Sequence, residues 1–573
     1  MSKLVFINTS TNQITEEELS PDHDLYEFAG RALSSKIVID RVGTESDGLD
    51  DQNALTFACG FLTGTPAPNS GRMSLGAKSP LTEGIKEANV GGRAPALLAR
   101  NGLRGIVLEG LGKEWNIVLV DDGRVSLKPA QKYCGMNNYQ LSNQLREDFG
   151  ERIGILSIGI AGERKMPSAS IQSIDLEGYP SRAAARGGLG AVMGSKKIKA
   201  VVVKQPQGSA KITYKDFDAF KKVAKKWFKE LYEAKRVFSK YGTAITVNTV
   251  NAVNGLPTKN FRKGNFEDYE KINGDALNDY IEENNGRYSV GCSPGCAIRC
   301  SNIVNGPEGK HLTSSLEYET IALNGSNLLI NSIEILAKID HLCDDMGVDT
   351  IETGNTLAVL MESGKLDWGD GDAVLEFLRK ASKGEKELDL LGLGAYRLAK
   401  KLGVKRIPCV KKQGLPGYDP RIFKGMGVTF ATSPMGADHT AGPAIKGRKA
   451  YGDKDYGGLT ESKGKIPLSF ELQVFVHLVD SCGLCYFVGP SWETAETLSK
   501  LLNAKFAWDK NRESLREMAV NWLNMEKNYN KEAGLNEFDQ IPSFIANNPE
   551  PSSKNLWDVK DRELAEFWNQ GGN

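Results

Sequence analysis

The sequence has no excess of charge of either sign. Its 573 residues include 72 Lys and Arg and 72 Asp and Glu, so the formal net charge is zero. A nucleic-acid-binding protein typically presents a basic surface, and an interaction tail is typically a run of like charges. The sequence therefore predicts a globular protein of ordinary composition that has no nucleic-acid partner.

Long apolar segments are also missing. Apolar runs such as GIVLEG (105–110) and KAVVVK (199–204) are far shorter than the ~20 residues that a membrane-spanning helix needs. The opening stretch, MSKLVFINTSTNQITEEEL, has neither the long apolar region nor the small-residue cleavage site of a signal peptide. We therefore expect a cytoplasmic protein that does not associate with a membrane.

Cysteine is scarce, yet it is clustered. The chain has nine cysteines, and Cys292, Cys296 and Cys300 all fall within GCSPGCAIRC (291–300). Because cytoplasmic thiols stay reduced, this cluster predicts a metal site rather than a set of disulfides. The candidates for a fourth thiolate are Cys482, Cys485 and Cys343.

Four interpretations of this cluster remain open on the residues alone. Three neighbouring thiolates and a remote fourth suit a [4Fe–4S] cluster, and the Ser-Pro-Gly turn lets the sulfurs converge. Structural zinc sites usually have two cysteines in each half, and here the first half has one too many. Radical-SAM clusters use C-x3-C-x2-C, whereas the second gap here is three residues. The last alternative is a group of buried, unreactive cysteines.

Secondary-structure signals divide the chain into three parts. Segment 1–208 contains short apolar strands separated by Gly, Pro and Asn, and 204–212 has the composition of a linker. Helical periodicity dominates afterwards, and a Gly- and Pro-containing stretch at 411–428 marks a second boundary. We therefore predict an α+β protein with a β-rich N-terminal base domain (1–208) and two mainly helical domains (209–416 and 417–573).

Two segments combine clustered glycines with arginine. In 182–200, the Gly188-x-Gly190-x3-Gly194 spacing is similar to a dinucleotide fingerprint, but no apolar strand precedes it and no acidic residue follows at the expected distance. A nicotinamide-binding Rossmann domain is therefore not expected. Both segments could offer N–H groups and cations to an anionic ligand, and tight turns with solvated charges are the alternative. The first segment, 182–200, also carries Arg182, Arg186, Lys196 and Lys197. The second segment, 69–98, carries Arg72, Asn89, Gly91 and Gly92.

A short motif occurs twice in the helical part. DDMGVD (344–349) and DSCGLC (480–485) share the pattern D-x-x-G-[V/L]-[D/C], and each follows a helical pattern. The glycine lies where a helix would end in a left-handed residue. On the residues alone, two unrelated helix ends are the simpler interpretation of this repeat.

Taken together, these segments resemble the aldehyde:ferredoxin oxidoreductase family, the tungsten-containing bis-pterin enzymes. The resemblance implies a β-rich base and two helical domains with the cofactor between them. That cofactor would be one tungsten or molybdenum atom held by the dithiolene sulfurs of two pyranopterins. The matching stretches cover nearly the whole chain: CGFLTGTPAP (59–68), SGRMSLGAKSPLT (70–82), EANVGG (87–92), RAAARGGLGAVMGSKKIKA (182–200), KYGTAITVNTVNAVNGLPTKNF (240–261), the cysteine cluster, LEYET (316–320), CDDMGVDTIETG (343–354), YDPR (418–421) and DSCGLC.

The resemblance turns the repeated motif into a pair of pterin contacts, one for each cofactor half. Asp344, Asp349 and Asp480 would accept hydrogen bonds from pterin amino and ring N–H groups. The other implied contacts come from Gly91, Gly92, Gly187, Gly188, Gly347, Gly483 and Leu484.

The same resemblance implies a phosphate site in the base domain. Arg72 and Arg182 would pair with the pterin phosphates. Backbone carbonyls of Asn89 and Ala183 would bind a magnesium ion that bridges those phosphates, because magnesium favours oxygen ligands.

The resemblance further implies that Cys292, Cys296, Cys300 and Cys485 bind one [4Fe–4S] cluster. Cys482 is the rival for the fourth position. Three residues separate the first two cysteines here, whereas two separate them in well-known family members. Another departure is Ala441, which stands where some members carry a basic residue.

The implied reaction is the oxidation of an aldehyde by water to a carboxylic acid. Glu319 of LEYET would act as general base, and His439 of MGADHTAG would hydrogen-bond the substrate or metal oxygen. Electrons would leave through the cluster to ferredoxin or to a dedicated iron–sulfur subunit, in a homo- or hetero-oligomer. Two alternatives remain: a reductive family member that acts on an aromatic acyl-CoA, and an electron-transfer or scaffold subunit with a cluster only.

Overall fold

The fold was analysed in a computed structural model, which describes residues 2–208, 212–447, 454–536 and 538–571. Two six-stranded sheets occupy the N-terminal third, and helices dominate the remainder. The predicted α+β class is therefore confirmed. None of the described helices has the length and apolarity that crossing a membrane requires.

The strands lie mainly in the N-terminal third. They are β1 (Ser2–Asn8), β2 (Gln13–Leu19), β3 (Leu55–Cys59), β4 (Met73–Lys78), β5 (Ile85–Val90), β6 (Leu103–Glu109), β7 (Asn116–Asp121), β8 (Arg124–Pro129), β9 (Ile153–Ser157), β10 (Ile171–Ser173), β11 (Arg182–Ala184), β12 (Ile198–Lys204), β13 (Arg287–Val290), β14 (Ser301–Asn305), β15 (His311–Ser314), β16 (Cys409–Val410) and β17 (Gln413–Gly414).

The helices lie mainly after β12. They are α1 (Gly30–Arg41), α2 (Ala94–Arg100), α3 (Asn138–Phe149), α4 (Ile160–Glu163), α5 (Leu189–Ser195), α6 (Phe217–Ala234), α7 (Arg236–Tyr241), α8 (Thr246–Ala252), α9 (Gly274–Glu283), α10 (Tyr318–Asn324), α11 (Ile333–Met346), α12 (Thr350–Glu362), α13 (Gly371–Ser382), α14 (Lys386–Leu391), α15 (Gly394–Leu402), α16 (Lys424–Thr432), α17 (Lys465–Cys482), α18 (Trp492–Phe506), α19 (Arg512–Glu532), α20 (Ser543–Ala546) and α21 (Asp561–Ala565).

The two large sheets share one hydrophobic core. Their strand orders are β2-β1-β6-β3-β4-β5 and β11-β10-β9-β12-β7-β8. Strands such as β12, with the sequence IKAVVVK, are continuous apolar runs because they are buried on both faces. Val5 and Leu75 of the first sheet lie in the same core as Val118 and Val201 of the second. The N-terminal strands therefore form one packed base.

The helical part has two further hydrophobic cores. One extends from α8 to α16, and the other joins α6 to α17, α18 and α19. Helix α6 packs on α18, so elements of the second and third predicted domains contact each other. The domain boundaries at 208/209 and 416/417 stay predictions, and residues 209–211 of the predicted linker lie outside the described residues.

Both copies of the repeated motif lie at helix ends. Helix α11 ends at Met346 and α17 ends at Cys482, and the next residues, Gly347 and Gly483, have φ values of 76° and 73°. This left-handed conformation is strained for any residue with a Cβ atom, which explains the two glycines. The turns bring the residues that follow them back towards the sheets.

A buried ion pair fastens the first helix to the C-terminal helices. Arg31 of α1 donates hydrogen bonds from Nε and Nη2 to the two carboxylate oxygens of Glu526 on α19, at 3.0 and 2.7 Å. His477 of α17 and Ser35 also contact Oε1 of Glu526, at 3.0 and 2.7 Å. Arg31 and Glu526 are 2% and 0% exposed, so the pair is shielded from water.

Replacing Arg31 with Met is expected to destabilise the protein by about 3–5 kcal/mol, because the Glu526 carboxylate would remain buried without its cation. The urea midpoint of unfolding would measure the loss. The matched control is Lys36→Met on the same helix, whose partner Asp40 is solvent-exposed; its effect should stay within about 0.5 kcal/mol. Equal midpoints for the two variants would contradict this prediction.

Candidate active site

A cavity of about 740 Å³ lies between the β-rich base and the helical part. Its walls come from strands β5 and β11, from the first turn of α10, and from the segments that follow α11, α16 and α17. The predicted site residues that line it are Arg72, Asn89, Ala183, Glu319, Asp344, Asp349, His439, Asp480 and Cys485. Residues that are far apart in the sequence thus meet around one space.

The base side of the cavity presents Arg72 and Asn89. Arg72 donates from Nη2 to the backbone carbonyl of Asn89 at 3.1 Å, and its Nε donates to the Asn89 side chain. The carbonyl that we predict as a magnesium ligand therefore already has a donor nearby. The side-chain amide nitrogen of Asn89 is buried and has no hydrogen-bond partner among the described residues.

Strand β11 places Arg182 and Ala183 on different faces. Ala183 lines the cavity, whereas the Arg182 side chain donates to the Ser301 hydroxyl at 2.8 Å and lies towards the cysteines. The Nε of Arg182 is buried without a partner among the described residues. Because a buried donor without an acceptor is costly, this atom has capacity for a ligand. The roles of both residues at pterin phosphates stay predictions.

The four predicted glycines of the base allow close packing. The Gly92 N–H donates to the carbonyl of Cys292 at 2.9 Å, and Gly91 lies against the same residue. A Cβ atom at Gly187 would be 2.4 Å from Cγ of Lys86, and one at Gly188 would be 2.4 Å from the carbonyl of Pro167. None of the four lines the cavity, and their contact with a cofactor stays a prediction.

Three aspartates from the repeated motif reach the cavity. Burial raises the pKa of Asp344 and of Asp480 well above the usual range, and the nearby carboxylates Asp340 and Glu87 respectively raise it further. Asp349 is the N-cap of α12, where it accepts from the Ile351 N–H at 3.0 Å and from Arg186 at 3.1 Å. These carboxyl groups could bind the polar edge of an organic ligand. The remaining motif residues form the turns and the packing around them: Gly347, Gly483 and Leu484.

The cysteine segment lies beside this cavity. A hydrogen bond from Cys296 lowers the pKa of Cys292 well below its usual range, against burial, and Arg72 and Arg182 contribute. Burial raises the pKa of Cys300 and of Cys485, and the nearby Cys292 thiol raises both further. No three His, Cys, Asp or Glu side chains of the described ranges are arranged to hold a single metal ion. In a four-iron cluster each thiolate binds a different iron, so the four sulfurs do not have to meet at one point.

The two cysteines of DSCGLC have different surroundings. Cys482 is the last residue of α17 and lies in the apolar core with Leu484. Cys485 lines the cavity, and its N–H donates to the carbonyl of Asn69 at 3.0 Å. Asn69 also donates to the sulfur of Cys296 at 3.5 Å. The geometry favours Cys485 over Cys482 as the partner of the clustered thiols.

Glu319 and His439 face each other across the cavity wall. Oε2 of Glu319 accepts from the Gly417 N–H at 2.7 Å, and Oε1 lies 3.7 Å from Nδ1 of His439. Both Oε1 and Nδ1 are buried and have no hydrogen-bond partner among the described residues. Burial raises the pKa of Glu319, and the neighbouring His439 opposes this effect. The pair can therefore take up and hold a proton beside a ligand.

Three charged residues at or beside the cavity have no role in our sequence analysis: Lys86, Glu87 and Asp438. Lys86 donates to Asp438 at 3.1 Å and thereby fixes the loop that carries His439. Glu87 lines the cavity, and its Oε1 is buried without a partner in the described structure. Arg186, which the sequence analysis names as a cation for an anionic ligand, instead forms an ion pair with Asp349. The sequence IKEANV of β5 could have predicted a role for Lys86 and Glu87. Adjacent side chains in a strand point to opposite faces, and each buried charge needs a partner.

Two family models match this chain. The family model described as "Aldehyde ferredoxin oxidoreductase, N-terminal domain" matches residues 4–205, and the model for "domains 2 & 3" matches residues 219–572. The chain belongs to the aldehyde ferredoxin oxidoreductase family. The resemblance seen in the sequence is thereby confirmed, and the protein is an oxidoreductase of this type.

Curated relatives are similar to this chain over most of their length. The tungsten-containing aldehyde ferredoxin oxidoreductase of Pyrococcus furiosus is 32% identical over 580 residues, which cover 96% of this chain and 92% of the relative. The WOR-like subunit of an aliphatic sulfonate oxidoreductase from the same organism is 27% identical over 492 residues, covering 79% of this chain and 76% of that subunit. The relatives of this chain thus include proteins named for different substrates.

A solved structure shares the fold. The active site complex BamBC of benzoyl coenzyme A reductase, with bound 1,5-dienoyl-CoA, superposes with a TM-score of 0.81 at 17% identity. The match covers 100% of this chain and 94% of that one. At this identity the comparison establishes the common architecture.

Proposed function

We propose that this protein is a tungsten-dependent enzyme that oxidises an aldehyde to a carboxylic acid. The proposal depends mainly on one observation: beside a large cavity, Glu319 and His439 point buried polar atoms at each other, and these atoms have no hydrogen-bond partner in the described part of the chain. The tungsten-containing relatives at 32% identity supply the class of cofactor.

The residues around the cavity fit a bis-pyranopterin. Asp344, Asp349 and Asp480 offer carboxyl oxygens to pterin N–H groups, and their separate helix ends suit two pterins. Arg72 and Arg182 offer guanidinium groups to phosphates, where the carbonyls of Asn89 and Ala183 would accept magnesium. Nε of Arg182 and Nδ2 of Asn89 have no hydrogen-bond partner among the residues that the structure describes, so both can donate to an additional acceptor in this region.

When bound, the tungsten centre supplies the two-electron oxidation, and a [4Fe–4S] cluster passes electrons on singly. The chemistry required of the protein is proton transfer, since an aldehyde and water give a carboxylic acid, two electrons and two protons. Glu319 accepts a proton from the attacking water or from the substrate. Its raised pKa improves it as a base, because a carboxylate in an apolar site binds a proton more tightly. His439 donates a hydrogen bond to the oxygen on which charge develops.

The clustered cysteines fit the exit route for electrons. Cys292, Cys296 and Cys300 lie next to Cys485, which itself borders the cavity. We propose that these four hold the cluster and that ferredoxin or an iron–sulfur subunit takes the electrons. We propose a cytoplasmic location, because the reducing cytosol keeps such thiols from forming disulfides. A homo- or hetero-oligomer is compatible with this arrangement.

Metal analysis with a substrate panel tests the proposal. The anaerobically purified protein should contain tungsten or molybdenum with pterin and iron, and should reduce a viologen dye with aldehydes. An aromatic acyl-CoA with reduced viologen should give no turnover. Turnover confined to the acyl-CoA would replace aldehyde oxidation with the reductive reaction, and iron without pterin or tungsten would indicate an electron-transfer subunit.

A further inference from the structure

A cleft outside the cavity contains two basic side chains that pair with no acidic side chain of the described residues. It has a volume of about 260 Å³ and lies where β6, the end of α18 and segment 212–215 meet. Arg104 of β6 and Lys505 of α18 both line it. Within the described ranges, neither side chain forms an ion pair with Asp or Glu. The cleft has no lining residue in common with the cavity.

Hydrogen bonding uses only part of the capacity of these two cations. Arg104 is 5% exposed and donates from Nη1 to the carbonyl of Phe28 at 3.0 Å. Lys505 donates from Nζ to the carbonyl of Phe61 at 2.6 Å. A neutral carbonyl does not compensate a buried charge, and such charges in proteins are normally paired. Within the described residues, the Arg104 guanidinium and the Lys505 ammonium therefore lack a counter-charge.

The surrounding titratable groups cannot provide that charge near neutral pH. Burial raises the pKa of Cys59 and of Tyr214 to about 12 in each case, and burial also raises the pKa of Cys482. The nearby cation Lys215 adds positive charge at the rim. Burial, together with Arg104, lowers the pKa of Lys505 to about 7. A bound anion would stabilise both cations.

The walls of the cleft are apolar and aromatic. Leu103, Tyr26 and Tyr214 line it beside the two cations. The ring of Phe506 lies 4.3 Å from the Lys505 ammonium and 5.8 Å from the Arg104 guanidinium, measured to its centroid. This combination of converging cations and a small apolar wall is typical of a site for an amphipathic small molecule.

We propose that the cleft binds a small organic oxyanion, a carboxylate or a phosphate monoester carried on an apolar body. The oxyanion contacts Arg104 and Lys505, and the apolar body packs against Leu103 and Phe506. The planar guanidinium presents two N–H groups to such an oxyanion. This inference is independent of the proposed reaction, because it involves none of the cavity residues.

Isothermal titration calorimetry of the intact, oxygen-protected protein tests the proposal with benzoate, phenyl phosphate, inorganic phosphate and the neutral benzamide. We expect binding of benzoate or phenyl phosphate, and the stronger of the two identifies the oxyanion. Arg104→Gln and Lys505→Met should each weaken it by roughly tenfold or more, since each removes a charged hydrogen bond. Lys500→Met, which removes an exposed charge from the same helix, should leave it unchanged.

The pH dependence gives a second readout. Only protonated Lys505 attracts an anion, so affinity should fall as the pH rises through about 7, and Lys505→Met should abolish this dependence. The proposal is overturned if neither benzoate nor phenyl phosphate binds, or if both cleft variants bind them as the wild type does. Equal affinity for benzamide or inorganic phosphate would also overturn it. If Arg104→Gln does not fold, the affinity of Lys505→Met for benzoate and phenyl phosphate is sufficient to test the proposal.

Discussion

Glu319→Gln is expected to lower kcat for aldehyde oxidation by about 10³-fold, the typical contribution of a general base. The amide keeps the size of the side chain and still accepts the Gly417 hydrogen bond. It loses the high proton affinity that burial gives the carboxylate. The measurement is the anaerobic rate of viologen reduction, together with tungsten and pterin content, which should match the wild type.

The control for this variant is Glu334→Gln. Glu334 lies in the first turn of α11 and pairs with Lys338 at the surface; loss of that pair should not affect turnover. Wild-type activity in Glu319→Gln would remove its proposed catalytic role. Loss of activity in step with loss of tungsten would instead assign Glu319 to cofactor retention.

Cys485→Ala should lower the iron content clearly below the roughly four atoms per chain of a [4Fe–4S] cluster, because one of the four proposed thiolate ligands is removed. Viologen reduction should disappear with the cluster. Cys482→Ala is the matched control, three residues earlier in the same motif, and should retain the iron, since Cys482 lies in the apolar core. Iron analysis and the electron paramagnetic resonance signal of the reduced cluster measure both variants.

The opposite result is equally informative. Loss of iron in Cys482→Ala with full retention in Cys485→Ala would exchange the two residues as ligands. Retention in both variants would mean that neither completes the site. A fall in stability of about 1 kcal/mol in Cys482→Ala is expected in any case, because a buried sulfur is replaced by a smaller group.

The two helix-end motifs show what can be predicted from local sequence. Gly347 and Gly483 are predicted at left-handed helix ends, and both are found there. Their spacing from Asp344 and Asp480 is a property of one helical turn, so it can be read without tertiary information. Whether those aspartates contact a pterin is still a prediction.

The charged residues around the cavity show that local sequence is insufficient to predict the partner of a buried charge. Lys86 and Glu87 are adjacent in β5, but Lys86 meets Asp438, which is 352 residues away, and Glu87 enters the cavity. A strand fixes only which side chains share a face. The partner on that face depends on which loop the whole fold brings there.

The sequence by itself determined the β-rich start, the helical remainder, the clustered thiols and the resemblance to the family, because strand and helix periodicity and motif spacing are local properties. Only the tertiary structure decided that Cys482 enters the core while Cys485 borders the cavity, and that Glu319 meets His439 from 120 residues away. It also brought together Arg104 and Lys505. Such meetings depend on how sheets and helices pack, and packing is a property of the complete chain.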